Sequence, residues 1–496
     1  MYQKIGKSLF ILLIIILAVF PRAIDILNGN PIFGFDQGRE MLAAKNIVVN
    51  HKPILIGTEI GAGVAGISGI FQGPIYYYFL AIPFILFNGN PIGGVFLMLV
   101  FSLLSILFGF YFGKKLFGEL GGLILALLMT ISPILISQAR FMWSPNPPTL
   151  FILLSFYFIY LFSKKKNKYI FLAAFFSGFI YNFELAISVP LSIALAIYSI
   201  YIFKRKIKPY FYLILGFVLG YLPMILFEIR HGLIGLKGLV KYFIGSNIGG
   251  AVNWNLLYEH GKSFLYNFKD TFSFNNVSFS ILFFIFLTSS LIYILKSEKN
   301  KKIKHFYFFL IVLFFVNFFV FSFLKNTVWN YYLTDLSVSY LLIFLYVLFT
   351  FYKKNNLKIK LLVSFIFIFF VLLGINSAIK ISIYDYFDYG GTAKVRGKTD
   401  AIDYIYKDAG DKNFNVLIFS PPIYTYPYDY LLSWYGQKKY GFVPGSEKKG
   451  TFYLLIEPDN SKIWTYKGWL ETVIKSGNIE STVTLPSGFI IQKRIL

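Results

Sequence analysis

The chain contains no cysteine. Disulfides, thiolate metal sites and thiol nucleophiles are therefore excluded. Histidine is scarce: His51, His231, His260 and His305 are the full set, and they show no metal-ligand spacing. Carboxylates are few as well, with 23 Asp and Glu against 47 Lys and Arg, for a formal net charge of +24. In a soluble chain that imbalance would suggest nucleic acid. Here charged residues of both signs make up only 14% of the chain, while hydrophobic residues make up 57%. A soluble domain cannot hide so much apolar surface, so the sequence reads as a polytopic membrane protein. Its basic residues then report topology and contact with anionic headgroups, not nucleic acid. An internal repeat and the inverted-repeat pattern of transporters are also lacking.

What is present is a rhythm of lysines. Lys4/Lys7, Lys114/Lys115, Lys164–Lys168, Lys204–Lys208, Lys296–Lys304 and Lys353–Lys360 punctuate long apolar runs at every second gap. Cytoplasmic loops retain Lys and Arg, so these gaps are expected inside and the lysine-poor ones outside. The first apolar run ends in Pro21-Arg22-Ala23-Ile24, a poor signal-peptidase site, and is expected to stay as an anchor. With residues 8–24, the runs 91–113, 119–139, 149–163, 170–187, 188–203, 209–229, 278–295, 305–324, 331–352 and 360–380 predict about eleven transmembrane helices. Residues 74–87 are apolar but short and contain Pro83. A crossing there would put every later lysine cluster outside, so this run is expected at the interface or re-entrant.

The expected architecture is mainly α. A transmembrane domain, 1–380, carries a long first external loop at 25–90, and an extracytoplasmic α/β domain follows at 381–496. The tail is richer in Asp, Lys, Gly and Pro. It predicts strands at Val416–Phe419 and Phe452–Ile456 and helices at 398–408, 428–439 and 461–475.

Polar residues concentrate on the external side. The first loop reads Phe33-Gly34-Phe35-Asp36-Gln37-Gly38-Arg39-Glu40, then a helical Met41–Val49, Gly57-Thr58-Glu59, a glycine-rich stretch and Phe71-Gln72-Gly73-Pro74-Ile75-Tyr76-Tyr77-Tyr78. Asp36, just outside the first span, is placed to act as a general base on an acceptor while a lipid-linked donor enters from the bilayer. It is equally good helix-start chemistry, with Arg39 and Glu40 following. Glu59 is a further polar candidate in this loop. Arg140 ends a span externally, where it suits a lipid phosphate or snorkels to the interface. Glu184 stands in an otherwise apolar span, where a carboxyl is functional or paired. Glu228, Arg230 and His231 close another span as ligands or as a helix-end ion pair. Lys325, Tyr331 and Tyr332, beside Trp329 and Asn330, offer phosphate and sugar contacts or an interfacial belt. Gly61, Gly63, Gly66 and Gly69 lack the Lys-Ser/Thr of a phosphate loop and are expected to form a lid.

Asp36 after the first span, the interfacial helix, and the Gly73-Pro74-Ile75-Tyr76-Tyr77-Tyr78 run leading into Phe87-Asn88-Gly89-Asn90-Pro91 together resemble the GT-C glycosyltransferases. The likeness is to glycosyltransferase family 39, with its protein O-mannosyltransferases and aminoarabinose transferases. Leu222-Pro223-Met224-Ile225-Leu226-Phe227-Glu228-Ile229-Arg230-His231-Gly232 resembles a stretch of prokaryotic members. The resemblance implies transfer of a sugar from a polyprenyl-phosphate donor to a glycan, lipid or protein acceptor on the external face, with membrane lipids as surroundings. It maps the family's catalytic Asp onto Asp36. Gln37 stands where an acidic partner often follows. Asn146, in Trp143-Ser144-Pro145-Asn146-Pro147, stands at the second acidic position, so a divalent metal is possible but lacks its usual second carboxylate. Against this reading stand a transporter or lipid flippase, which would place polarity in mid-span, and a receptor whose tail binds a partner.

Overall fold

A computed structural model describes residues 2–60, 69–162, 167–244, 254–410, 413–421 and 424–496. Lys164, Lys165 and Lys166 of one lysine cluster, and Gly61, Gly63 and Gly66 of the expected lid, lie outside the described residues.

The membrane domain opens with α1 (Tyr2–Leu27), α2 (Phe35–Val48), α3 (Ile75–Leu86), α4 (Ile92–Ile131), α5 (Pro133–Gln138), α6 (Pro148–Phe162), α7 (Asn167–Phe179) and α8 (Leu185–Phe203). It continues with α9 (Ile207–Gly220), α10 (Leu222–Arg230), α11 (Ile234–Ile244), α12 (Trp254–Thr271), α13 (Val277–Ser297), α14 (Lys301–Ser322), α15 (Thr334–Tyr352) and α16 (Leu357–Phe387). Asparagines start several of these helices. Asn276, Asn300 and Asn356 accept from the free N–H groups of α13, α14 and α16, and two of the three stand in lysine clusters.

Among the described residues six helices are long and apolar enough to cross a bilayer, or seven if the bent pair α9–α10 is one span. Of the other apolar segments, the first lies in the 26-residue α1, whereas 74–87 and 149–163 form the shorter helices α3 and α6. The expected span 91–113 and most of 119–139 are joined within α4, whose helical path breaks at Phe117 and Gly118, and the end of the second span is the separate α5. A Cβ on Gly113 would lie 2.5 Å from the Gly121 carbonyl, so the two halves fold back on each other at glycine contact. The expected span 209–229 bends by 71° between α9 and α10. Pro223 follows that bend and withholds a backbone donor from it. At about 1.5 Å per residue α3 reaches only about 18 Å, short of a bilayer core. α15 is almost wholly buried, whereas α16 shows Leu361, Leu362, Phe365 and Leu372 to the outside. The first helix is thus a central strut and the second lipid-facing.

The last span runs on to Phe387 and does not stop at 380. The tail then forms α17 (Val395–Ala409), β1 (Asn415–Phe419), α18 (Tyr426–Leu431), α19 (Gln437–Tyr440), β2 (Thr451–Ile456), α20 (Trp464–Trp469), β3 (Asn478–Thr484) and β4 (Ile490–Ile495). The sheet order is β1-β2-β4-β3, with β1 and β2 parallel and the other pairs antiparallel.

The tail is stitched to the membrane domain. Phe33 N donates to Ala393 O (3.0 Å) and Val395 N to Pro31 O (3.0 Å). Trp434 Nε1 donates to Asn88 O (2.8 Å), and Tyr430 OH to Gly89 O. A Cβ on Gly38 of α2 would fall 2.4 Å from Pro427 N, so the α2 and α18 backbones touch.

Candidate active site

Asp36 is not the cap of α2. Gly34 occupies that position, and its N–H donates to Gln37 Oε1 (2.9 Å), which leaves the Asp36 carboxylate free in the first turn. That carboxylate is 33% exposed and pairs with Arg39 at 2.7 Å. Negative charge in the first turn is also favoured by the helix dipole. The same Gln37 side chain binds at its other end, where Nε2 donates to Met142 O (2.9 Å) and fixes α2 to the loop after α5.

One turn along, Glu40 is buried. Tyr76 OH donates to it at 2.7 Å and Ser144 N at 3.1 Å. Burial pushes its carboxyl up to about 8, against the opposing pull of Arg39. The chain of contacts continues: Ser144 Oγ and Thr58 Oγ1 meet Gln72 Oε1, and Gln72 Nε2 faces Glu184 Oε2 at 3.4 Å. Trp143 packs edge-on against Tyr331 (4.4 Å between ring centres), which in turn meets Tyr332 (4.6 Å). Tyr331 stands within electrostatic reach of both Glu184 and Asp36. Glu184, Tyr331 and Tyr332 therefore lie near one another, with Asp36 within longer electrostatic reach, at the end of the bundle that carries the tail.

Other candidates have different surroundings. Glu184 is not in mid-span: it caps α8, accepting from Ala186 N at 3.0 Å, at the break after α7. Glu59 accepts from Gly69 N (2.6 Å). Arg140 is gripped by two carboxylates, Asp25 (2.7 and 2.9 Å) and Asp385. With Lys394 these line a cavity of about 220 Å³. A phosphate reaching Arg140 has to displace a carboxylate. Asn146 Nδ2 donates to Phe141 O (2.7 Å) and shapes the loop. Glu228 forms no helix-end ion pair with Arg230. It accepts from Gly235 N (3.0 Å) and Leu236 N (3.2 Å), starting α11. His231 stacks on Phe227 (4.1 Å) and bonds its carbonyl (2.9 Å), while Arg230 is exposed beside it. Lys325 Nζ donates to Tyr242 O (2.9 Å), tying itself to α11.

Among the described residues no three His, Asp or Glu side chains converge as a metal-ligand set. Glu40, the carboxyl nearest Asp36 in the chain, is already committed to Tyr76 and Ser144. The residues present do not fit a divalent metal at Asp36.

Sequence reasoning passed over Glu40, Gln72, Tyr76 and Ser144, although all four stand in the motifs it singled out. Their signal was proximity to Asp36 along one helix face and two loops. It also passed over Arg22, which is fully buried and donates to the Thr130 (2.9 Å), Met129 (3.0 Å) and Ala18 (3.2 Å) carbonyls and to Ser102 Oγ (2.9 Å). It thereby satisfies the C-terminal end of α4.

This architecture is similar to the fold of ArnT. The crystal structure of ArnT from Cupriavidus metallidurans in the apo state matches with a TM-score of 0.60 at 10% identity, covering 99% of this chain and 98% of that one. The same protein bound to undecaprenyl phosphate matches with a TM-score of 0.56 at 10% identity, covering 98% of each chain. Residues 72–227 match the family model for dolichyl-phosphate-mannose-protein mannosyltransferase. No curated protein sequence matches.

Proposed function

We infer that the protein is an integral-membrane glycosyltransferase, moving a hexosyl or pentosyl unit from a polyprenyl-phosphate donor to a glycan, lipid or protein acceptor. The observation that carries this reading is Asp36: a partly exposed carboxylate in the first turn of an interfacial helix, amid a network of hydroxyls, amides and tyrosines. The matches to a mannosyltransferase family model and to an undecaprenyl-phosphate-bound ArnT support it.

Asp36 accepts the proton of the acceptor hydroxyl as its oxygen bonds to the sugar's anomeric carbon. The bond from that carbon to the phosphate oxygen breaks, and its electron pair leaves with the lipid phosphate. Growing charge on that phosphate calls for a fixed cation at the external surface. Arg230 offers an exposed guanidinium there. Arg140 and Lys325 are the alternatives, each already engaged. The N-terminus lies inside and the tail outside, the arrangement the lysine rhythm demands.

The test is to incubate the purified protein with radiolabelled polyprenyl-phosphate sugars and score transfer to lipid, glycan and protein fractions. Asp36→Asn is expected to lower transfer by about 10²–10⁴-fold while keeping its thermal unfolding profile, because an amide cannot take the proton. A folded Asp36→Asn protein working at wild-type rate removes Asp36 from the chemistry. Failure of the wild type to consume any donor removes the reading itself.

A further inference from the structure

Between Asp36 and the tail lies an aromatic surface with no part in the transfer chemistry just described. Phe35, the residue before Asp36, has its ring centre 5.2 Å from Tyr426 and 5.7 Å from Tyr424. The two tyrosines stack on one another at 5.4 Å with planes only 7° apart. On the membrane-domain side the Arg39 guanidinium stands 5.2 Å from the centre of the Phe35 ring, while also pairing with Asp36. The order is Tyr424, Tyr426, Phe35, Arg39, Asp36, a continuous run from tail to carboxylate.

The tail places it there. Pro427 presets the first turn of α18, and Thr425 Oγ1 donates to both Asp429 oxygens (3.0 and 2.9 Å), fixing the segment that bears the tyrosines. The α2–α18 backbone contact at Gly38 then sets their height above α2. Packing alone does not account for Tyr424. Tyr426 is half-buried, but Tyr424 keeps 49% of its surface exposed although one ring face rests on Tyr426. A flat aromatic surface held rigid from behind and open in front costs apolar hydration without a folded-state return.

We propose that Tyr424, backed by Tyr426 and Phe35, is the acceptor subsite: a platform on which a pyranose ring of an acceptor glycan stacks, its hydroxyl directed to Asp36. The chemistry of the run selects this occupant. A pyranose presents an apolar C–H face to an aromatic ring and hydroxyls at its edge, and here the run of side chains ends in the Arg39 guanidinium and the Asp36 carboxylate, which bond hydroxyls. A lipid chain has no use for those charges. The donor arrives through the bilayer, whereas this surface is built by the tail, so its ligand comes from the aqueous phase. The proposal rests on the glycosyltransferase reading and gives the tail a role in it: the tail completes the site.

The experiment uses the full chain in lipid nanodiscs, with methyl glycosides of mannose, glucose, galactose and N-acetylglucosamine as probes and saturation-transfer NMR as readout. Wild type is expected to saturate the ring C–H protons of at least one glycoside. Tyr424→Ala should weaken that binding about tenfold, the loss of one aromatic contact, while Tyr424→Trp restores it. Binding of radiolabelled polyprenyl phosphate should be equal in all three proteins. Equal glycoside signals in wild type and Tyr424→Ala, or no signal in wild type, overturn the platform. Absence of donor consumption in wild type, with the Tyr424-dependent signals intact, instead overturns the transferase reading and leaves a glycan-binding surface.

Discussion

Asp36 and Glu40 stand one helical turn apart and live in different media. Asp36 keeps a third of its surface in solvent and an arginine beside it. Glu40 is buried, its carboxyl raised from 4.5 to about 8 by desolvation. In the folded state Glu40 therefore holds a proton that the unfolded chain has released by neutral pH. Its contribution to stability is complete below about 4.5 and is lost as pH rises to about 8. Glu40→Gln, isosteric and without a titration, should flatten that part of the profile, read as thermal unfolding between pH 5 and 9. An unchanged slope would place the pH response elsewhere. Two arginines separate in the same way. Arg140 lies against the buried Asp25, and Arg140→Gln leaves that carboxylate only the more distant Lys394 (3.9 Å), so a loss of stability approaching about 3 kcal/mol is expected. Arg230 is exposed, so Arg230→Gln should keep stability and weaken binding of radiolabelled polyprenyl phosphate. The reverse pattern would return the phosphate to Arg140.

Elements were legible where their signal is local. The alternation of apolar runs and lysines marks the helices, and the buried strand Thr451–Ile456 shows in its run of Phe, Tyr, Leu and Ile. The strand Asn478–Thr484 does not, because it is exposed on nearly every residue and has no apolar face to alternate. The break inside α4 was legible as two spans, since Lys114 and Lys115 mark the turn. The site was half legible. Asp36 stood out by its place just outside the first span, although a helix start explained it equally well; Glu40, Gln72 and Ser144 acquire meaning only when distant loops meet. Helix α2 is the element on which this depends, held by Met142 on one side and Pro427 on the other. Gly38→Ala should raise helix propensity by up to about 1 kcal/mol, yet its methyl group collides with the Pro427 backbone. The collision wins, costing about 1–3 kcal/mol. Faster release of the tail by limited proteolysis is the expected readout, and wild-type resistance would show that α18 can yield.

For the whole molecule, the lysine rhythm predicts a topology that surface labelling tests. In this cysteine-free chain, single cysteines at Lys299 and Ser461 report directly. An impermeant thiol reagent applied to intact cells should label Ser461→Cys and not Lys299→Cys. Labelling of Lys299→Cys alone would invert the topology. The stitching of the tail to residues 30–33 also has a consequence in time. Arg396 N reaches Asn30 Oδ1 across 366 residues of chain. A ribosome making about 5–20 residues per second needs roughly 20–70 s to cover that distance. Throughout that interval the helix bearing Asp36 has left the ribosome without the neighbour that braces it. Under the function proposed above, the residue offered as general base is thus made early and braced late, and a nascent chain is expected to stay inactive until its tail has been made and docked.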